Sequence, residues 1–227
     1  MMNSLIQFIL DPRNNFIGNT IAYFEICAVS IIISMIIGVV LGILVSRNAV
    51  LGFIAVNLSG LMRAIPIIAF LFIALPLLGL GFLPAVVALI VLGIPPILLN
   101  TYTGIRGIDP ATIDAARGMG MTNLQIVTRI QTPLVMPIIA AGIRTSAVQI
   151  IATATLAAFI GAGGYGVYIV DGLYKLNNIE ILAGSIPVAL LAIVVELFMG
   201  WLQRILTPAG LRVQKAAAEP VAQSMAA

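Results

Sequence analysis

The chain has 227 residues and a formal net charge of +3; 61% of its residues are hydrophobic and 8% are charged. Soluble globular domains contain about a quarter charged residues, so this composition excludes a soluble fold and indicates one membrane domain. The basic residues are scattered, whereas a nucleic-acid-binding face would cluster them. There is no histidine, and the single cysteine, Cys27, lies in an apolar run. We therefore expect no metal site and no internal disulfide, and we expect Cys27 to pack in the interior.

Long apolar runs predict five membrane-spanning helices, because about 20 helical residues cross a hydrocarbon core of about 30 Å. These runs cover residues 20–45, 50–80, 84–102, 136–160 and 181–206. Pro66 and Pro76 are expected to kink or divide the second run, and the count becomes six if that run forms two spans. Pro95 and Pro96 are expected to break the third run near its inner end. The predicted fold class is all-α, a polytopic membrane helix bundle.

The ends of the chain differ in composition from these runs. The N-terminal lead is amphipathic and is expected to lie along the membrane surface. The C-terminal tail lacks apolar bulk and is expected to be flexible. The predicted segments are the lead at 1–19, the transmembrane domain at 20–206 and the tail at 207–227.

Small and aromatic residues predict helix contacts and membrane boundaries. Gly38 and Gly42 are four residues apart, so they share a helix face that permits close packing. Ordinary packing is the favoured interpretation, and a seam between two copies is the alternative. The connection at 167–180 contains Tyr168 and Tyr174, and Tyr165 lies just before it. These three tyrosines are expected at the membrane interface.

Residues 109–137 form the longest polar interruption. Asp109 is predicted to cap a helix start, with Pro110 at a position where a missing N–H has no cost. This helix is expected to break near Gly118 and Gly120.

A second helix start is predicted directly after that break. Thr122 and Gln125 have the spacing of a capping box. Pro133 is expected to bend or restart the chain as it re-enters apolar sequence. Two short helices joined by a glycine elbow would form a rigid protrusion, which we call the coupling loop (109–133).

The basic residues predict the orientation of the chain. With the N-terminus outside, seven of them lie on the cytoplasmic side and two lie outside, which satisfies the positive-inside tendency. The coupling loop is then cytoplasmic. The seven are Arg47, Arg106, Arg117, Arg129, Arg204, Arg212 and Lys215, and the two are Arg13 and Lys175.

The coupling loop resembles a motif of the permease subunits of ABC importers: Glu-Ala-Ala, three residues, Gly, nine residues, Ile, one residue, Leu-Pro. The spacing is complete, with Asp in place of Glu and Thr in place of Leu. Two flanking stretches, 142–144 and 153–164, are similar to the branch that imports glycine betaine, carnitine or choline. The matching motif residues are Asp114, Ala115, Ala116, Gly120, Ile130, Thr132 and Pro133.

This resemblance implies a methionine-permease-like fold and a role in ATP-driven import. The motif residues, Thr132 aside, would couple the spans to a separate ATP-binding subunit, which would hold the ATP and Mg²⁺. No P-loop pattern occurs in this chain, so we expect it to bind no cofactor and not to be an enzyme. Family members work as identical or homologous permease pairs, served by an extracytoplasmic solute-binding protein. The implied location is the bacterial cytoplasmic membrane.

Four charges lie within or near the predicted spans: Glu25, Arg63, Arg144 and Glu196. Each costs about 3 kcal/mol at mid-bilayer on insertion scales, so such groups face an interior or find a partner. Arg63, Arg144 and Glu196 are candidates for the translocation path or its gate. Glu196 is expected to pair with Arg63 or Arg144; the alternative is that it lines the path and attracts a cationic solute.

Other polar residues of the fourth run are candidates for the translocation path. Gln149, Thr153 and Thr155 give this run a polar face, although bonding to carbonyls of the preceding turn is an equal alternative. Gly163 belongs to a G-x-G-x-x-G pattern that lacks the strand of a dinucleotide site. We expect a tight turn beside the outer mouth there, or a part of a gate.

ATP-driven import of an osmoprotectant has three alternatives. Import of methionine or another amino acid would need the same machine with a different binding protein. An ion-coupled carrier usually shows internal repeats and paired broken helices, and the sequence has no repeat. A membrane-embedded enzyme would need a cluster of acids or cysteines in one span, which is absent from the sequence.

Overall fold

The computed structural model describes residues 2–207, and within them every regular element is helical. The expectations for the tail, Arg212 and Lys215 lie outside the described residues. Three of the helical segments are not α-helical: a 3₁₀ turn at Pro12–Asn14, a π-helical segment at Ile126–Gln131 and a 3₁₀ segment at Ala154–Ile160. The α-helices are α1 Met2–Leu10, α2 Phe16–Ser46, α3 Ala49–Ala64, α4 Ile67–Leu78, α5 Phe82–Arg106, α6 Pro110–Gly118, α7 Asn123–Gln125, α8 Thr132–Thr153, α9 Gly166–Lys175 and α10 Asn178–Leu206.

Four helical runs of the described chain are long and apolar enough to cross a membrane. They are Pro12–Ser46, Phe82–Arg106, Asn123–Ile160 and Asn178–Leu206. The consecutive helices α3 and α4 meet at an angle of 91° and give a fifth crossing if they form one broken span. Six spans would require α3 and α4 to cross alone, but 16 and 12 residues are too few.

The break between α3 and α4 lies at Pro66, as predicted. Ile65 has extended backbone angles (φ −75°, ψ 120°), because the proline ring disfavours a helical conformation in the preceding residue. Pro76 causes no division, since it lies inside α4. The turn that follows contains Gly79 and Gly81, both with positive φ.

The expected break at Pro95 and Pro96 is wrong, because α5 continues through both residues to Arg106. Both prolines are buried. Neighbouring helices pack closely around this part of α5: a Cβ atom on Gly142 of α8 would lie 2.9 Å from the Pro96 carbonyl oxygen. The Asn100 side chain donates to the same oxygen at 2.8 Å. Packing thus holds α5 helical where two N–H donors are missing.

Helix α2 packs along α5 through small residues at four-residue intervals. A Cβ atom on Gly38 would lie 2.8 Å from Ile97 Cβ, and one on Gly42 would lie 2.5 Å from Thr101 Cβ. The predicted close contact is confirmed, and its partner is a helix of the same chain. Cys27 of α2 is buried in the hydrophobic core, as expected.

A hydrogen-bonded aromatic cluster closes the end of the bundle that carries α9. The interfacial position expected for the three tyrosines stays a prediction. Tyr165 and Tyr168 are buried in the core, whereas Tyr174 is 81% exposed. The reason is that the connection folds into α9, which packs on the start of α2. Tyr168 Oη donates to the Asn14 carbonyl oxygen at 2.7 Å and accepts from Asn19 Nδ2 at 2.9 Å. Burial raises the pKa of the Tyr168 phenol.

Candidate functional site

The first part of the coupling loop forms as predicted. The Asp109 carboxylate accepts from the backbone N–H of Ala111 at 2.9 Å, and Pro110 opens α6. Helix α6 ends at Gly118, and Gly120 has φ +79°, a conformation that glycine adopts without strain. The loop therefore turns at Gly120.

The capping box of Thr122 and Gln125 is also present. The expectation of a second separate short helix is wrong, because the helical run continues from Asn123 to Ile160. Pro133 neither breaks nor restarts this run. Since Pro133 has no N–H for the preceding turn, the helix widens: the Thr132 N–H and hydroxyl both donate to the carbonyl of Val127, five residues earlier.

The motif residues differ in their exposure. Ala116 is 1% exposed and packs within the chain, whereas Ala115 is exposed. Asp114 is exposed and lies 3.6 Å from the Arg117 guanidinium, one turn along α6. Ile130 and Pro133 are half-buried at the base of the loop.

Three large apolar residues of the coupling loop are also exposed, and the motif does not include them; Val127 is the least exposed of the three, at 46%. Met119 is 73% exposed and Leu124 is 74% exposed, on either side of the turn at Gly120. Large apolar side chains within a polar stretch were the signal for them in the sequence. Together with Ala115 they give the protrusion an apolar surface that a protein partner can cover.

The candidate charges of the spans are only partly brought together. Arg144 of α8 forms an ion pair with Glu196 of α10, and their side chains are 35% and 41% exposed. This selects Arg144 over Arg63 as the partner of Glu196. Arg63 and Glu25 are exposed, and neither forms an ion pair within the described residues.

Two residues of α10 complete the surroundings of Arg144 and were missed from the sequence. Gln203 Oε1 lies 3.5 Å from Arg144 Nη1, and a Cβ atom on Gly200 would lie 3.2 Å from the same nitrogen. The signal was their spacing, because Glu196, Gly200 and Gln203 lie on one face of a helix.

Both threonines of the polar face predicted for the fourth span bond locally. The Thr153 hydroxyl donates to the Gln149 carbonyl, and the Thr155 hydroxyl donates to the Ala152 carbonyl at 3.1 Å. This is the alternative of bonding to the preceding turn. Gly163 has φ +80° in a turn that packs on Asn19, so the predicted tight turn is confirmed. Within the described residues, no three His, Cys, Asp or Glu side chains form a group that could hold a metal.

The comparison with protein families identifies the class. Residues 26–210 match the model of the family described as "Binding-protein-dependent transport system inner membrane component". The chain belongs to this family, so it is an inner-membrane component of a transport system. The resemblance seen in the coupling loop is thereby confirmed.

Similar curated proteins narrow the class further. The carnitine transport permease protein OpuCB of Listeria monocytogenes is 39% identical over 211 residues, which are 93% of this chain and 97% of the relative. The choline transport system permease protein OpuBB of Bacillus subtilis is 37% identical over 211 residues, with the same shares. The osmoprotectant import permease protein OsmW of Salmonella typhimurium is 34% identical over 212 residues, which are 91% and 99% of the two chains.

A solved structure supports the fold. A chain of the MetNI methionine ABC transporter, in an inward-facing conformation, has a TM-score of 0.74 and 22% identity; the match covers 85% of this chain and 96% of that chain. The expected all-α membrane bundle with a methionine-permease-like fold is confirmed.

Proposed function

We propose that this chain is the permease subunit of an ATP-driven importer for a quaternary-ammonium osmoprotectant such as glycine betaine, carnitine or choline. The observation that carries the proposal is the near-full-length similarity to permeases named for carnitine, choline and osmoprotectants. Methionine or another amino acid has weaker support, because the likeness to the methionine transporter concerns the fold alone. The family membership argues against an ion-coupled carrier.

The coupling loop is the proposed contact with a separate ATP-binding subunit, which holds the ATP and Mg²⁺. In this proposal Ala115, Met119 and Leu124 meet the partner, because they are exposed. The other motif residues shape the protrusion: Asp114 through Arg117, Ala116 by packing, Gly120 by turning the chain, and Ile130 and Pro133 at its base.

The spans are proposed to form the path together with a second permease subunit, identical or homologous. Gln149, Thr153 and Thr155 would line the path or its gate, with Gly163 at the outer mouth. Arg63 is a further candidate for the path, because an exposed arginine without an ion-pair partner among the described residues is costly against lipid. An extracytoplasmic binding protein would deliver the solute at the end that carries α9, and the coupling loop would be cytoplasmic.

The test is uptake by the assembled transporter. The chain is co-expressed with the ATP-binding and solute-binding proteins encoded beside it, purified as a complex and placed in lipid vesicles. We expect ATP-dependent uptake of radiolabelled glycine betaine, carnitine or choline, and no competition by methionine. ATP-dependent uptake of methionine alone would replace the proposed solute, and failure to recover any ATPase with the chain would overturn the proposed mechanism.

A further inference from the structure

One ion pair links two membrane-spanning helices in the inner half of the bundle. The Arg144 guanidinium of α8 pairs with the Glu196 carboxylate of α10. It also lies over Gly200, where a Cβ atom would be 3.3 Å from the guanidinium carbon. Gln203 extends the contact by one turn, with Oε1 3.5 Å from Nη1. Glu196, Gly200 and Gln203 of α10 thus form a cradle for the Arg144 guanidinium.

The arginine side of this contact belongs to a helix that starts in the coupling loop. The helical run Asn123–Ile160 has 38 residues and begins at the capping box of Thr122. Arg144 lies about 30 Å along this run from Asn123, at a rise of about 1.5 Å per residue. A displacement of the loop therefore reaches Arg144 through one helical run.

The cradle side belongs to a helix that is packed on α9 at its outer end. A Cβ atom on Gly184 of α10 would lie 2.6 Å from the Tyr165 carbonyl oxygen, and one on Gly172 of α9 would lie 2.8 Å from Ile181 Cγ1. Its inner half instead meets α8 at the Arg144 contact. The ion pair therefore joins the helix that leaves the coupling loop to the inner half of α10.

We propose that Arg144 is a positioning residue that makes α10 move together with α8 when the coupling loop is displaced. The inference rests on the proposed ATP-driven import. Separating the two side chains would leave two unpaired charges within membrane-spanning helices, which is unfavourable, so the helices move as a unit. A purely structural contact would change only the amount of assembled transporter. A coupling contact changes the amount of solute imported for each ATP hydrolysed.

The experiment measures solute uptake and ATP hydrolysis in vesicles that contain the complete transporter. We expect Arg144→Gln and Glu196→Gln each to lower the uptake per ATP at least fivefold. The exchanged pair, Arg144→Glu with Glu196→Arg, should recover at least half of the wild-type ratio. Arg47→Gln is the matched control, because Arg47 is exposed at the end of α2, forms no ion pair within the described residues and should leave the ratio unchanged.

The possible outcomes separate the inference from the proposed function. A wild-type ratio in Arg144→Gln would overturn the inference, even if less transporter assembles. If Arg144→Gln does not assemble, Glu196→Gln gives the measurement, because it keeps the size of the side chain and removes only the charge that pairs with Arg144. A lowered ratio in that variant supports the inference, and an unchanged ratio overturns it. Absence of ATP-dependent uptake by the wild type would overturn the proposed function, and the inference with it.

Discussion

At the tip of the coupling loop, the side chains of Thr122 and Gln125 each accept a hydrogen bond from the backbone N–H of the other residue. Gln125 Oε1 accepts from the Thr122 N–H at 2.8 Å, and Thr122 Oγ1 accepts from the Gln125 N–H at 3.3 Å. Both donors lie at a helix start, where no carbonyl of the same helix can reach them. These two bonds fix the point where the loop enters the helical run of α8.

The first prediction concerns this cap. Thr122→Ala removes the hydroxyl acceptor and costs about 1 kcal/mol of local helix stability, equal to about a fivefold change in an equilibrium. We expect several-fold less ATP-binding subunit to co-purify with this variant. Thr122→Ser keeps the hydroxyl and is the control. Equal recovery of the subunit with both variants would contradict a role for the cap.

The second prediction concerns the turn of the loop. Gly120→Ala places a Cβ atom at φ +79°, where no heavy atom lies within 4 Å. Its effect is therefore backbone strain alone, about 1–2 kcal/mol, without a steric clash. We expect uptake to fall while the membrane level of the chain stays normal.

Gly118→Ala is the matched control for that turn. Gly118 also has open space around it, but it is helical, so alanine is accommodated without strain. Uptake should match the wild type. The proposed coupling role of the loop fails if Gly120→Ala also transports at the wild-type rate.

The third prediction concerns the contact of α2 with α5. Gly42→Ala puts a Cβ atom 2.5 Å from Thr101 Cβ, so the helices must separate. Overpacking of this kind costs about 1–3 kcal/mol, and we expect a lower melting temperature of the detergent-solubilised protein. Gly60→Ala, in α3 with open space, is the control and should not lower it. A drop of equal size in both variants would argue against the contact.

The fourth prediction concerns the aromatic cluster at α9. Tyr168→Phe removes the hydroxyl that bonds Asn14 and Asn19, at a cost of about 1 kcal/mol or more, because it leaves the Asn14 carbonyl without this donor. Thermal unfolding should shift to lower temperature. Tyr174→Phe removes an exposed hydroxyl and should have no effect. An unchanged melting temperature in Tyr168→Phe would show that these bonds add no net stability.

Local signals in the sequence predicted local structure well. Asp109 with Pro110, and Thr122 with Gln125, determine helix starts through bonds within three residues, so no distant contact is needed to infer them. Pro66 breaks a helix in the same local way.

Features that depend on distant packing could not be read in this manner. Pro95 and Pro96 stay helical because α2 and α8 enclose them, and the sequence does not state which helices are neighbours. Tyr168 is buried by residues about 150 positions earlier in the chain, a contact without a periodic pattern. Arg63 and Arg144 were equivalent partners for Glu196 until the order of helices in the bundle distinguished them.

The aromatic cluster at α9 can form only late in synthesis of the chain. Asn14 and Asn19 emerge from the ribosome early, but their partner Tyr168 is made 154 and 149 residues later. Until then, the polar start of α2 has no hydrogen bond from α9, while α2, α5 and α8 can already associate. These bonds can therefore form only after α9 has been made, so they belong to the last steps in the folding of the described chain.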